Sequence, residues 1–133
     1  MANSQNKKYK IMYFEDDASH SGLYGTKLKI EGFEVVVYES PTLDPVGAVV
    51  KVKPDLIMMD LIMPVMDGFD AIKLLKKDER TKNIPIIILS NLGQRDEVEK
   101  GLALGAADYF VKIHYMPSDL VEKVKYHLKN SKH

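Results

Sequence analysis

Apolar residues along this chain fall into five short blocks, Tyr9–Phe14, Phe33–Tyr38, Leu56–Met59, Ile84–Leu89 and Ala107–Val111. Each is rich in β-branched, aromatic or other large apolar side chains, and each has strand length. Most show no polar alternation, so both faces of these strands are apolar. Such strands suit a parallel sheet covered on both sides by helices rather than an antiparallel sheet with one wet face.

The intervening segments carry helical signals. Ala18 to Ile30 closes at Glu31-Gly32, where glycine accepts the left-handed backbone that ends a helix, although Gly22 and Gly25 weaken the segment locally. Asp44-Pro45 has the form of a helix start, with an aspartate cap and a first-turn proline, followed by the apolar stripe Val46, Val49 and Val50. Asp67-Gly68 opens a third helix on Phe69, Ile72 and Leu75. A fourth is marked by Val98, Leu102 and Gly105, and a fifth by Leu120, Val121, Val124 and Leu128. The pattern is a βα unit repeated five times. Right-handed crossovers then give an α/β, three-layer, doubly wound domain with a five-stranded parallel sheet and five helices. Its ligands belong beyond the carboxyl ends of the strands. Residues 1–8 are expected to form a disordered tail, residues 9–130 the single domain, and residues 131–133 a short C-terminal tail.

Composition narrows the function. Nineteen Lys and Arg cancel nineteen Asp and Glu, so the chain has no excess positive field to draw it onto a phosphate backbone, and nucleic acid is not expected as a direct partner. Cysteine is absent, which removes disulfides, thiolate metal sites and cysteine nucleophiles. No apolar run reaches membrane-spanning length and the polar start lacks a secretory core, so the expectation is a cytoplasmic protein without a membrane partner.

The polar residues that follow the strands converge on one rim. Glu15, Asp16 and Asp17 follow the first strand, Asp60 the third, Ser90 the fourth, and Lys112 ends the fifth. Crowded carboxylates repel unless a cation joins them. Magnesium, a hard ion content with a few carboxylates and its own waters, is the expected cofactor. His20, His114, His127 and His133 show no zinc spacing. Asp60 closes an apolar run where an uncompensated charge is costly, and a carboxylate so placed can accept a phosphoryl group. Lys112 could then neutralise phosphoryl charge while the Ser90 hydroxyl donates a hydrogen bond. Taken singly, several of these residues have plainer roles: Asp67 as a helix cap, Ser90 as a loop hydroxyl, Tyr109 as packing, and Met12, Met58 and Met59 as core filler.

Taken together, Glu15-Asp16-Asp17 after a strand, Asp60-Leu-Ile-Met63-Pro64 with Asp67-Gly68, Ser90, and Tyr109-Phe-Val-Lys112 resemble the signature of bacterial two-component response-regulator receiver domains, the family of the chemotaxis regulator. The resemblance spans about residues 9–129. It implies a flavodoxin-like strand order 2-1-3-4-5, with Asp60 as phosphoacceptor and Ser90 and Lys112 as its catalytic partners. It also implies Asp16 as a direct Mg2+ ligand, Glu15 as a ligand through water, and Asp60 and the Ile62 carbonyl completing the shell. A sensor histidine kinase, a phosphotransfer protein or a small phosphodonor would supply the phosphoryl group. Ser90 and Tyr109 would act as the switch, altering a protein-binding surface built from helix 4, strand 5 and helix 5. The implied activity extends only to the domain's own phosphorylation and dephosphorylation, in a stand-alone receiver without an output domain.

Four positions depart from the family pattern. Ile113 follows the lysine where a cis proline is usual, and a cis bond before isoleucine would cost about 2.5–4 kcal/mol. Asn91 stands where a small side chain is favoured. Ile62 and Leu92 are apolar where polar residues often flank the phosphoryl group. These departures leave room for the alternative, a receiver-like adaptor that works without phosphorylation. A nucleotide- or flavin-binding enzyme is disfavoured, because the acidic residues after the first strand would repel an anion and no glycine-rich phosphate loop is present.

Overall fold

The computed structural model describes residues 8–39 and 42–131, so the expected tails lie outside the described residues apart from Lys8 and Ser131. The elements alternate as β1 (Lys10–Phe14), α1 (Ala18–Ile30), β2 (Glu34–Tyr38), α2 (Pro45–Val52), β3 (Leu56–Met59), α3 (Gly68–Lys77), β4 (Ile86–Ser90), α4 (Arg95–Ala103), β5 (Asp108–Val111) and α5 (Pro117–Lys129). All five strands pair in parallel in the order β2-β1-β3-β4-β5.

Successive side chains of a strand point to opposite faces, so an all-apolar strand feeds two cores at once. In β1, Ile11 and Tyr13 pack with Tyr24 and Leu28 of α1 and with Leu120, Val121 and Val124 of α5. Met12 and Phe14 pack on the other face with Val49 of α2 and with Ile72 and Leu75 of α3. Met58 and Met59 divide between the two faces in the same way.

The helix limits follow local chemistry. Asp17, Asp44 and Asp67 cap α1, α2 and α3 through their side chains, and α1 ends before Gly32, whose φ is +100°. β4 begins two residues later than expected. Pro85 has no N–H to give a ladder, and the Ile84 carbonyl is taken by Lys76 Nζ at 3.0 Å. After β5, Lys112–His114 forms a 3-10 turn, and the peptide bond before Ile113 is trans. The local sequence carried no signal for that turn.

One backbone position in the β3–α3 loop is strained. Val65 has φ +74° and sits between Pro64 and Met66, whose N–H donates to the Pro64 carbonyl at 2.8 Å. A three-residue turn of that hand is rare and costly for a β-branched residue. Its side chain is 60% exposed, so little packing opposes a change. Val65→Gly is therefore expected to raise stability by roughly 1 kcal/mol, the strain relieved less the unfolded-state entropy that glycine adds. Urea unfolding checks it through a higher midpoint at unchanged slope.

Candidate functional site

The carboxyl ends of β1, β3, β4 and β5 surround a cleft of about 280 Å³ lined by Glu15, Asp16, Asp60, Ile62, Ser90 and Lys112, with His20 and Asn91 at its edge. Every site residue expected from the sequence except Tyr109 lines this cleft. Glu15 is fully buried, and Asp60, Ser90 and Lys112 are buried too, whereas Asp16 is exposed.

Glu15 continues the line of β1, its N–H donating to the Tyr38 carbonyl at 3.3 Å. Its Oε1 accepts from Lys112 Nζ at 2.7 Å and from the Tyr13 hydroxyl at 3.0 Å, and its Oε2 accepts from the Asp17 N–H at 3.3 Å. Lys112 Nζ also lies 2.9 Å from His20 Nδ1. The amine thus rests between β1 and α1 and is paired with Glu15 rather than with Asp60. Burial beside this carboxylate lifts the Tyr13 hydroxyl well above the usual tyrosine range.

Asp17 is a helix cap. It accepts from the Ser19 and His20 N–H groups, and these bonds, that from His20 first, hold its carboxyl below the usual range. Asp67 caps α3 through the Asp70 N–H at 3.0 Å, as its plainer reading had it.

Asp60 is anchored by its own N–H donating to the Phe14 carbonyl at 3.1 Å, and its Oδ1 accepts from the Leu61 N–H at 2.8 Å. A Cβ on Gly68 would sit 2.4 Å from the Asp60 carbonyl oxygen, so α3 can begin against β3 only with glycine there. Burial raises the Asp60 carboxyl to about 7; Lys112 opposes the shift and Glu15 reinforces it.

Ser90 ends β4, and its Oγ accepts from the Leu92 N–H at 3.2 Å. The buried Tyr109 donates its hydroxyl to the Leu92 carbonyl, and its ring lies against Gly101. Burial, then the charge of Glu97, pushes the Tyr109 hydroxyl up to about 12. Ile62 points outward, 65% exposed on the cleft rim. Leu92, expected beside it, instead packs against the core on the α3 side of the sheet.

Three carboxylate oxygens, one each from Glu15, Asp16 and Asp60, lie within 4.8 Å of one another. An all-oxygen set with a crowded, proton-retaining aspartate at its centre fits a hard divalent cation such as Mg2+. Tyr13 and His20 were not singled out from the sequence. Tyr13 is two residues before Glu15 and so shares its face of the strand, and His20 stands in the first turn of the helix that follows. Both signals look like ordinary packing until Lys112 is brought alongside.

The chain matches the sequence model of the response regulator receiver domain over residues 11–125, and it belongs to that family. This places it in two-component signal transduction. It is 36% identical over 106 residues to the DNA-binding dual master transcriptional regulator RpaA of Synechocystis, a match covering 77% of this chain and 42% of that protein. It is 35% identical over 115 residues to the phosphate regulon transcriptional regulatory protein PhoB of Pseudomonas aeruginosa, covering 86% of this chain and 49% of that protein. The chain thus spans about half the length of these relatives. Among solved structures, the BeF3-activated N-terminal receiver domain of Klebsiella pneumoniae RstA is 29% identical with a TM-score of 0.81, over 91% of this chain and 99% of that one. The signal receiver domain of a DNA-binding response regulator from Colwellia psychrerythraea is 27% identical with a TM-score of 0.82, over 92% of this chain and 100% of that one.

The Asp60 environment sets a pH dependence. Its folded-state value near 7 lies above its ordinary 3.8, so the folded protein holds this proton more tightly than the unfolded chain. The contribution of Asp60 to stability is then full below about pH 4 and is lost as pH rises through 7. In the presence of a chelator, Asp60→Asn is expected to melt at a higher temperature than the parent at pH 8, with the difference shrinking steadily towards pH 4. Thermal unfolding at a series of pH values checks this.

Proposed function

We propose that this domain accepts a phosphoryl group on Asp60 from a sensor histidine kinase, a phosphotransfer protein or a small phosphodonor, and that the modification changes a protein-binding surface. The observation that carries this reading is the convergence of Glu15, Asp16 and Asp60 within 4.8 Å on the rim that also holds Ser90 and Lys112. An Asp60 oxygen attacks phosphorus, the bond from phosphorus to the donor nitrogen or oxygen breaks, and the donor leaves with that electron pair. The Leu61 N–H engages Oδ1, leaving the other oxygen of this cleft-lining carboxylate for attack. Asp16, Asp60, the Ile62 carbonyl and, through water, Glu15 would hold Mg2+, which supplies positive charge to the equatorial phosphoryl oxygens. The Ser90 hydroxyl donates to one such oxygen and the Lys112 ammonium to another.

The output surface is α4, β5 and α5, with Leu102 exposed on α4, Tyr126 on α5, and Ile113, Tyr115 and Met116 in the segment joining β5 to α5. A protein partner fits such a surface better than nucleic acid does, given the chain's balanced charge. Among the described residues no helix is long and apolar enough to cross a membrane, in keeping with work in the cytoplasm beside a kinase.

Incubation with acetyl phosphate and Mg2+ is expected to add one acid-labile phosphoryl group, read by intact mass, and Asp60→Asn should abolish it. A mutant adduct of equal yield would overturn the acceptor. No adduct on the parent would leave the phosphorylation-independent adaptor.

Ile62 cannot orient a hydrolytic water, and its side chain shields the rim. Ile62→Asn is expected to shorten the adduct's lifetime several-fold at fixed Mg2+, measured by its decay after donor removal. Equal decay would show that the rim residue leaves hydrolysis untouched.

A further inference from the structure

Glu15 Oε1 is claimed twice over in this structure, by the ammonium of Lys112 and by the hydroxyl of Tyr13. Oε2 carries the Asp17 N–H. A divalent cation drawn to the three carboxylates therefore arrives beside an ammonium already bound to one of them. Like charges at that range disfavour each other, so Lys112 must loosen from Glu15 as the cation settles. Lys112 is buried, and a buried ammonium stripped of an acceptor is costly.

His20 is placed to take up that loss. Its Nδ1 lies 2.9 Å from Lys112 Nζ and 4.0 Å from Glu15 Oε1, close to both members of the pair. A lysine ammonium has three donors and no acceptor, so Nδ1 meets it as the unprotonated ring nitrogen and Nε2 carries the hydrogen. The Asp17 cap fixes the first turn of α1, accepting from the His20 backbone N–H at 3.3 Å, and so sets the backbone from which the ring reaches Lys112. We infer that His20 is a positioning residue, the second acceptor that lets the Lys112 ammonium withdraw from Glu15 when a divalent cation binds and that keeps it aimed at the cleft. The inference rests on the metal-dependent reading above and adds to it a residue chosen by geometry.

The test is Mg2+ affinity by calorimetric or NMR titration without any phosphodonor, on the full chain. The variants are His20→Ala, His20→Asn, Lys112→Ala and the His20→Ala/Lys112→Ala double mutant. Asparagine sets its side-chain oxygen near the place of Nδ1. The ring is partly exposed, and melting curves check that each variant is folded. His20→Ala is expected to weaken Mg2+ binding roughly tenfold, as loss of an outer-shell partner does. His20→Asn should restore most of that loss. In the Lys112→Ala background, where no ammonium needs rehousing, His20→Ala should have no effect. Equal affinity in His20→Ala and parent overturns the inference, as does a loss that persists undiminished without Lys112 or that asparagine fails to restore. A parent that binds no Mg2+ overturns the metal reading itself, a separate outcome visible before any variant is compared.

Discussion

The Lys112–Glu15 ion pair is the contact on which the rim depends. Strands β1 and β5 are not neighbours, because β3 and β4 lie between them in the sheet. Lys112, just past β5, reaches across the ends of those two strands to close on Glu15 at 2.7 Å with both side chains almost wholly buried. Asp60 and Ser90 line the same cleft beside this charged strap. Removing one partner of such a pair costs about 3–5 kcal/mol, because it leaves the other charge buried alone, whereas apolar replacement of both is often neutral. Stability alone gives no reason to keep the pair; its ammonium also acts on Asp60, offsetting part of the cost that burial places on that carboxylate.

The same strap explains why the acidic residues are arranged unequally. Glu15 is fully buried and hydrogen-bonded on both oxygens, Asp16 is exposed, and Asp60 lies between them in burial. Burial places the largest cost on the Asp60 carboxylate, and Lys112 offsets only part of it. The protein thus carries an ionised Asp60 poorly on its own. Anything bringing positive charge to the cleft relieves that cost and favours the ionised carboxylate, as Lys112 already does in part.

Much of this was legible from residue order. The two-sided apolar strands announced a covered parallel sheet, and the caps Asp44-Pro45 and Asp67-Gly68 placed two helix starts to the residue, whereas Asp17, grouped with the rim acids, proved to be the cap of α1. The rim residues Glu15, Asp16, Asp60, Ser90 and Lys112 were legible because each directly follows a strand, and strand ends meet in this topology. What escaped was set by contacts distant in sequence. The start of β4 moved because Lys76, eight residues earlier, claims the Ile84 carbonyl. The pairing of Lys112 with Glu15 and His20 joins residues 97 and 92 positions apart, so no local pattern could display it. Leu92 was expected at the cleft from its offset after Ser90, but its half-buried side chain packs against the core on the α3 side instead.

That position also bears on how a change at Asp60 could reach the far side of β5. Leu92 is held at both ends of its peptide groups: its N–H donates to Ser90 Oγ, and its carbonyl accepts from the Tyr109 hydroxyl. On the phosphorylation reading, Ser90 turns its hydroxyl proton towards a phosphoryl oxygen, and any movement of Oγ takes the Leu92 N–H partner with it. The loop then shifts under Tyr109, whose ring lies over Gly101, where an added Cβ would come within 3.3 Å of it. On that reading the Tyr109 hydroxyl either keeps its bond to the Leu92 carbonyl or gives it up. On the phosphorylation reading the response would then be two-state, with one hydrogen bond at Leu92 set against one at the phosphoryl group.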